Sequence, residues 1–211
     1  MTADSLATWC RIRNEIDWTS AAGEAPAPVA ATVDGLATWC AAGGRSASPG
    51  RGRLLLSALA RSRADASLER PLTCELLAEW QRLVLGLPEV PFRAGDAFAK
   101  GGRERYGLTP HTRRNFQDCL REAADPRVPL ASRAARVYLD VAFFHPFPDG
   151  NARLAMLTLA YVLELEGVRL DQVGPLQTTR YADDPAGAAD LAALVCVLIR
   201  SAHRRTTGAR H

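Results

Sequence analysis

The sequence His145-Pro-Phe-Pro-Asp-Gly-Asn-Ala-Arg153 is a short polar loop between two apolar stretches. Before the loop, apolar residues recur at spacings of three and four over 131–144, which predicts a helix. After it, residues 154–165 are rich in Leu and Ala and also predict a helix. Two prolines and a glycine disfavour helix between them, so we expect the chain to turn there.

The loop carries groups that can bind a phosphate. A helix that begins after it leaves its first N–H groups unpaired at the positive end of the helix dipole, where an anion can bind. Gly150 would let the backbone approach the anion, and Asn151 could cap the helix or donate its amide to a phosphate oxygen. Arg153 could bind phosphate oxygens through its planar guanidinium.

Two further side chains add reactive chemistry. His145 can accept a proton near neutral pH. Asp149 offers hard oxygen ligands that suit a Mg²⁺ ion shared with phosphate oxygens. Together these groups predict a site for phosphoryl or nucleotidyl transfer. Taken one by one, the alternatives are a core or cap histidine, a turn-forming aspartate and an exposed helix arginine.

The stretch resembles the signature of the Fic family, His-x-Phe-x-(Asp/Glu)-Gly-Asn-(Gly/Lys)-Arg-x-x-Arg. The positions that match are His145, Phe147, Asp149, Gly150, Asn151 and Arg153. The resemblance implies an all-α fold, a helical bundle with a short β-hairpin flap beside the active-site loop. It also implies an enzyme that moves AMP from ATP to a hydroxyl of a target protein.

The same resemblance implies roles for the matching residues. His145 would be the general base, Asp149 would hold Mg²⁺, and Phe147 would anchor the loop in the core. Asn151 and Arg153 would hold phosphates. The residues expected to bind the co-substrate ATP are Phe147, Gly150, Asn151, Ala152 and Arg153.

Two positions depart from the family pattern. Ala152 stands where the family has Gly, or Lys in the branch that resembles the Doc toxins, so the sequence argues against that branch, whose members phosphorylate a protein. Met156 stands at the second arginine, which in the family grips the terminal phosphates of ATP. The alternatives are therefore a donor of the CDP-choline, UDP or other diphosphate type, or a slower enzyme that uses ATP. A small-molecule acceptor in a biosynthetic pathway and a scaffold without catalysis also stay open.

Residues 92–108 are rich in glycine and basic residues and poor in apolar ones. In sequence position this segment resembles the Fic flap, a hairpin that pairs with an extended piece of the target protein. An ordinary surface loop is the alternative.

Family members often carry an inhibitory helix, Ser/Thr-x-x-x-Glu-(Gly/Asn), whose Glu pairs with the second arginine. Ser20 and Glu24 have this spacing, but Ala25 follows them. Met156 also removes the partner that such a Glu needs. We therefore expect no internal inhibition of this kind.

Composition bounds the class of protein. The chain has 211 residues, is 47% hydrophobic and carries a net charge of +3, which gives no argument for nucleic acid or a membrane as partner. Its five cysteines are widely spaced and include no Cys-x-x-Cys pair, which predicts reduced thiols and a cytoplasmic location. Neither a signal peptide nor a long uninterrupted apolar run is recognised.

We predict three regions along the chain. Residues 1–50 would form an N-terminal helical extension and flexible linker, 51–205 the Fic domain, and 206–211 a disordered tail. Besides the helices that flank the loop, apolar spacing predicts helices at 4–18, 54–63, 72–85, 112–123 and 188–202.

Overall fold

The computed structural model of the chain describes residues 3–23, 26, 31–44 and 49–208. Within them lie eight α-helices and a two-stranded antiparallel hairpin, which confirms the predicted all-α class. The helices are α1 Ser5–Glu15, α2 Gly35–Ala41, α3 Pro49–Ser67, α4 Cys74–Leu85, α5 Thr112–Glu122, α6 Leu130–Phe144, α7 Asn151–Leu165 and α8 Pro185–Gly208. The strands are β1 Ala97–Ala99 and β2 Glu104–Tyr106. Short 3₁₀ turns lie at Lys100–Gly102 and Gly174–Gln177.

Helices α6 and α7 form the centre of the molecule. They pack against each other, α8 packs on α6, and α3 and α4 pack on α7. Leu139, Val141 and Phe143 of α6 are buried, as are Leu154 and Leu157 of α7. Helices buried on most of their faces are typical of a protein core. The loop that joins these two helices therefore rests on the buried centre of the fold.

Local sequence explains the boundaries of α4. The hydroxyl of Thr73 accepts a hydrogen bond from the N–H of Leu76 at 3.1 Å, as expected of an N-cap. Gly86 ends the helix in the left-handed conformation, with φ 67°. Both boundaries agree with the helix predicted at 72–85.

Three helices are longer than predicted. Helix α7 begins at Asn151, directly after the loop, and α3 begins at Pro49. Helix α8 continues to Gly208, although we predicted a helix that ends at residue 202 and a disordered tail at 206–211. Because Ala202 and Thr206 are buried one helical turn apart, the packed face of α8 extends through this segment. Residues 209–211 lie outside the described part of the chain.

The N-terminal helices belong to the same core as the rest of the chain. Trp9 of α1 is fully buried and its ring lies 4.9 Å from that of Phe143. Leu36 and Trp39 of α2 join the same apolar cluster. The described parts of 1–50 are therefore an integral layer of the fold, whereas we predicted an extension. Most of the predicted linker lies outside the described residues.

Helix α8 is long and apolar enough to be a candidate membrane span by length and composition alone. Half of its most apolar window is buried inside the protein, which is common for core helices.

The five cysteines are all free, and burial raises the pKa of the Cys40 thiol to about 12. The prediction of reduced thiols is confirmed, and the cytoplasmic location stays a prediction.

Candidate active site

Two left-handed residues shape the loop between α6 and α7. His145 ends α6 with φ 48° and ψ 54°, and its N–H still donates to the carbonyl of Val141 at 3.2 Å. Gly150 precedes α7 with φ 77°. Only glycine adopts this conformation without strain, whereas a histidine there must be held by its surroundings. The residues that hold His145 in this conformation are therefore part of the candidate active site.

Phe147 and Asn151 lock the middle of the loop. Phe147 is 1% exposed and Asn151 is 2% exposed. The N–H of Phe147 donates to Oδ1 of Asn151 at 3.0 Å, and Nδ2 of Asn151 donates back to the carbonyl of Phe147 at 2.7 Å. The expectation that Phe147 anchors the loop in the core is confirmed. Both side chains are buried and Asn151 is bonded to the loop, and their expected contacts with a nucleotide stay predictions.

Two residues that the sequence analysis did not select hold the loop from outside. Nε2 of Gln81, in α4, donates to the carbonyl of Asp149. Arg93 donates its N–H to the carbonyl of Pro146 at 2.9 Å and its guanidinium to the carbonyls of residues 95, 107 and 144. Gln81 lies on the buried face of α4, one helical turn after Leu77. A polar residue at such a core position is the feature of the sequence that could have indicated its role.

The imidazole of His145 is fixed in position. Its Nδ1 lies 3.2 Å from the carbonyl of Ala142, and its ring stacks on Tyr106 with centroids 5.3 Å apart. A proton on Nδ1 satisfies that carbonyl and leaves Nε2 as an acceptor. Burial lowers the pKa of His145 below its usual 6.5 and outweighs the carbonyl contact, and the charges of Arg93 and Lys100 lower it further. The ring is therefore neutral at pH 7 and able to accept a proton.

Asp149 lies on the exposed side of the loop. Its side chain is 78% exposed, with Oδ1 accepting from the N–H of Gly150 at 2.6 Å and Oδ2 at 3.3 Å from Nη2 of Arg153. In the described part of the chain no cluster of three or more His, Cys, Asp or Glu could hold a metal ion. Mg²⁺ in nucleotide sites often uses one or two carboxylates together with substrate phosphates. A single exposed carboxylate fits an ion that is shared with a nucleotide, and it does not fit a metal cage formed by the protein alone.

Arg153 faces a cavity at the start of α7. Its Nη1 donates to the carbonyl of Val84 at 3.3 Å. The cavity has a volume of about 170 Å³ and is lined by Trp39, Gly43, Arg51, Tyr138, Ala152, Arg153, Met156 and Gln177. Met156 is buried and presents an apolar wall where the family signature has a cation. A larger cavity of about 440 Å³ lies away from the loop, between the connector 69–72 that follows α3 and the C-terminal ends of α5 and α7.

The hairpin predicted within 92–108 is present and lies beside the loop. Ala97 pairs with Tyr106 across the two strands, which places β2 against His145. The buried carboxylate of Glu104 accepts hydrogen bonds from Lys100, from the Tyr106 hydroxyl and from a backbone N–H next to α8. Asp4 accepts from the N–H of Gly107 at 3.0 Å. The hairpin is thus tied to the core at the end near the histidine.

Replacing Gly150 with alanine is expected to lower the free energy of unfolding by about 1–3 kcal/mol, since its left-handed conformation suits glycine alone. A Cβ there would also lie 2.5 Å from Nε2 of Gln81 and 3.1 Å from Leu85. Urea unfolding of the variant would measure the loss. Gly174→Ala is the control, because a Cβ at that position meets nothing within 4 Å. Equal stability of both variants would contradict the tight loop geometry.

Comparisons with known proteins agree with this geometry. A family model described as the Fic/DOC family matches residues 71–163, which contain the loop. A Fic domain-containing signaling protein from Bacteroides thetaiotaomicron has a similar fold, with 21% identity, a TM-score of 0.53 and coverage of 77% of this chain and 75% of that one. Fic-1 from C. elegans is 15% identical, with a TM-score of 0.55 and coverage of 98% and 72%.

A Fic family protein from Desulfovibrio desulfuricans is 16% identical, with a TM-score of 0.55 and coverage of 98% of this chain and 64% of that one. No curated protein matches the chain. At these identities the structural likeness concerns the fold, while the family model also covers the signature loop. Residues 71–163 of this chain are therefore a domain of the Fic/DOC family.

Proposed function

We propose that this protein moves AMP from ATP to a hydroxyl side chain of a target protein. Domains of the Fic family are usually transferases and typically move nucleoside monophosphate groups to proteins. The observation that carries the finer proposal is the fixed imidazole of His145. Its Nδ1 contacts the carbonyl of Ala142, which leaves Nε2 available as a base.

In the proposed reaction, Nε2 of His145 takes the proton from the target hydroxyl. The hydroxyl oxygen forms a bond to the α-phosphorus. The bond between that phosphorus and the oxygen that bridges the α- and β-phosphates breaks, which releases pyrophosphate. The free N–H groups in the first turn of α7 receive the transferred phosphate, and Arg153 stabilises the charge on the departing phosphates. Mg²⁺ at Asp149, when bound with the nucleotide, would neutralise phosphate charge.

Phe147, Asn151 and Gln81 serve the reaction by holding the loop in shape. Their hydrogen bonds fix the backbone around Asp149 and Gly150 before any ligand binds. A preformed site avoids the cost of reorganising polar groups during the reaction. We therefore assign these three residues a positioning role and reserve direct contact with phosphate for the α7 backbone and Arg153.

The target protein docks at the flap in this proposal. In the described part of the chain, β2 is flanked by β1 and by an isolated bridge between Asp4 and Arg105, whereas β1 has no partner on its outer side. An extended segment of another protein can pair with such an open edge. Phe98 on β1 is 60% exposed and would contact the docked segment. Pairing there would bring a hydroxyl of the target close to Tyr106 and His145.

Met156 favours a second candidate for the donor. Because this side chain is buried and apolar, α7 itself has no second cation for the terminal phosphates of ATP. A nucleotide or phosphate-containing donor other than ATP, or a small-molecule acceptor, would then be used with the same base. We place the reaction in the cytoplasm, in line with the free cysteines.

The experiment that tests the proposal compares two labels. Purified protein, Mg²⁺ and a cell lysate are incubated with ATP labelled at the α-phosphorus or at the γ-phosphorus. We expect label on a protein from the α position only, and competition by excess UTP, CTP or CDP-choline to be weak. Transfer from the γ position would indicate a kinase reaction. Strong competition by one of the other compounds would support the second candidate.

A further inference from the structure

We propose that Arg51 of α3 supplies the second cation for the terminal phosphates of a nucleotide, in place of the arginine that α7 lacks at Met156. The proposal rests on nucleotide binding at the loop, as proposed above. It adds a binding residue from outside residues 71–163, which the family model matches. Arg51 and Arg153 line the same cavity of about 170 Å³, and Met156 forms part of its wall.

Arg51 has no partner of its own among the described residues. Arg51 lies in the first turn of α3, at the positive end of the helix dipole, where a cation is unfavourable. No carboxylate or other group among the described residues makes a hydrogen bond or ion pair with its guanidinium. Helix stability and ion pairing therefore do not account for it, whereas an anionic ligand in the cavity would.

The lining of the cavity is positively charged. Its described part contains two arginines and no Asp or Glu, and the nearby carboxylate of Asp149 pairs with Arg153 alone. Burial lowers the pKa of Arg153, the carboxylate of Asp149 opposes this, and the positive charge of Arg51 lowers it further. The positive charge of Arg51 thus acts on Arg153, as expected of two cations that line one cavity. An anion in that cavity would be attracted by both.

The volume of the cavity limits what it can hold. Sites for whole drug-sized ligands have volumes of about 300–1,000 Å³. The cavity is smaller than that but holds several water volumes of about 30 Å³ each. It therefore suits terminal phosphate groups, while the nucleoside would lie outside it. The predicted ligand is therefore a nucleoside di- or triphosphate. A monophosphate lacks the terminal phosphates that Arg51 would contact.

The test measures binding rather than transfer. In a His145→Ala background, which prevents turnover, calorimetry gives the dissociation constants of ATP, AMP and inorganic tripolyphosphate. We expect Arg51→Ala to weaken ATP and tripolyphosphate binding about tenfold and to leave AMP binding unchanged. Arg53→Ala, an exposed arginine of the same helix, is the matched control and should change none of the three.

Adding Met156→Arg to the Arg51→Ala variant should restore ATP binding, because it returns a cation to the same cavity. If Arg51→Ala fails to fold, Arg51→Gln takes its place. The proposal is overturned if the dissociation constant of ATP for Arg51→Ala lies within twofold of that for the His145→Ala parent. It is also overturned if the substitution weakens ATP binding and AMP binding equally. If ATP binding depends on Arg51 but the transfer assay labels no protein, the binding role of Arg51 is supported and the proposed AMP transfer is contradicted.

Discussion

His145→Ala should reduce AMP transfer about 10²–10⁴-fold, the usual contribution of a general base. The variant removes Nε2, the acceptor that the contact with Ala142 leaves open. Because no phosphate contact is assigned to this side chain, the affinity for ATP should stay the same and the loss should lie in kcat. Initial rates with α-labelled ATP at several nucleotide concentrations would separate kcat from KM.

The matched control for this variant is His111→Ala. His111 is exposed at the start of α5 and makes no side-chain cap there. It should keep the full transfer rate, and both variants should unfold at similar urea concentrations. Wild-type labelling by His145→Ala would contradict the assignment of the base. A rise in KM with unchanged kcat would instead indicate a ligand-binding role.

The pH profile gives an independent readout of the same base. A general base works in its neutral form, and burial lowers the pKa of His145 below 6.5. The neutral form therefore persists at lower pH than in an ordinary histidine, and the acid limb of kcat/KM should have its midpoint below pH 6.5. An acid limb centred above 6.5 would mean that another group controls the rate.

Local signals in the sequence were enough to predict the loop and its flanking helices. These depend on neighbours close in the chain, such as the apolar spacing before His145. The hairpin was predicted only from the resemblance of residues 92–108 to the Fic flap. The signature also predicted the anchoring of Phe147 in the core. The start of α7 at Asn151 was missed because the helix begins within the polar part of the motif, where apolar spacing gives no signal.

Contacts between distant segments could not be predicted in the same way. Nothing in the sequence pairs Tyr106 with His145, or Gln81 with the carbonyl of Asp149, since periodicity identifies a buried face but not its partner. Arg51 was equally hidden, because arginine is abundant along the whole chain. The folding of α1 into the core was missed for the same reason, and it depends on a buried ion pair between α1 and α6.

Asp140→Ala is expected to lower the free energy of unfolding by about 3–5 kcal/mol, because the buried guanidinium of Arg13 loses its buried partner and keeps only the half-exposed Glu122. Asp140 is fully buried in α6. It accepts from Nε and Nη2 of Arg13 at 2.7 and 3.0 Å and from the indole of Trp9 at 3.0 Å. Urea unfolding monitored by circular dichroism would measure the change.

A pair on the surface provides the control for this prediction. Arg11 and Glu15 also lie 3.0 Å apart, but both side chains are more than half exposed. Glu15→Ala should therefore change stability little, since water screens the pair. The double variant Arg13→Met with Asp140→Leu should recover much of the loss, because it removes both charges and keeps apolar volume. A similar small loss from Asp140→Ala and Glu15→Ala would contradict a structural role for the buried pair.

The same pair links stability to the flap. Helix α1 holds the hairpin through Asp4, whose carboxylate accepts from the N–H of Gly107. If Asp140→Ala releases α1 from α6, the hairpin loses this support while the loop at His145 keeps its bonds to Gln81 and Arg93. Hydrogen exchange should then increase in α1 and in β2 before it increases in α7. Uniform exchange across all three elements would mean that α1 and the core unfold as one unit.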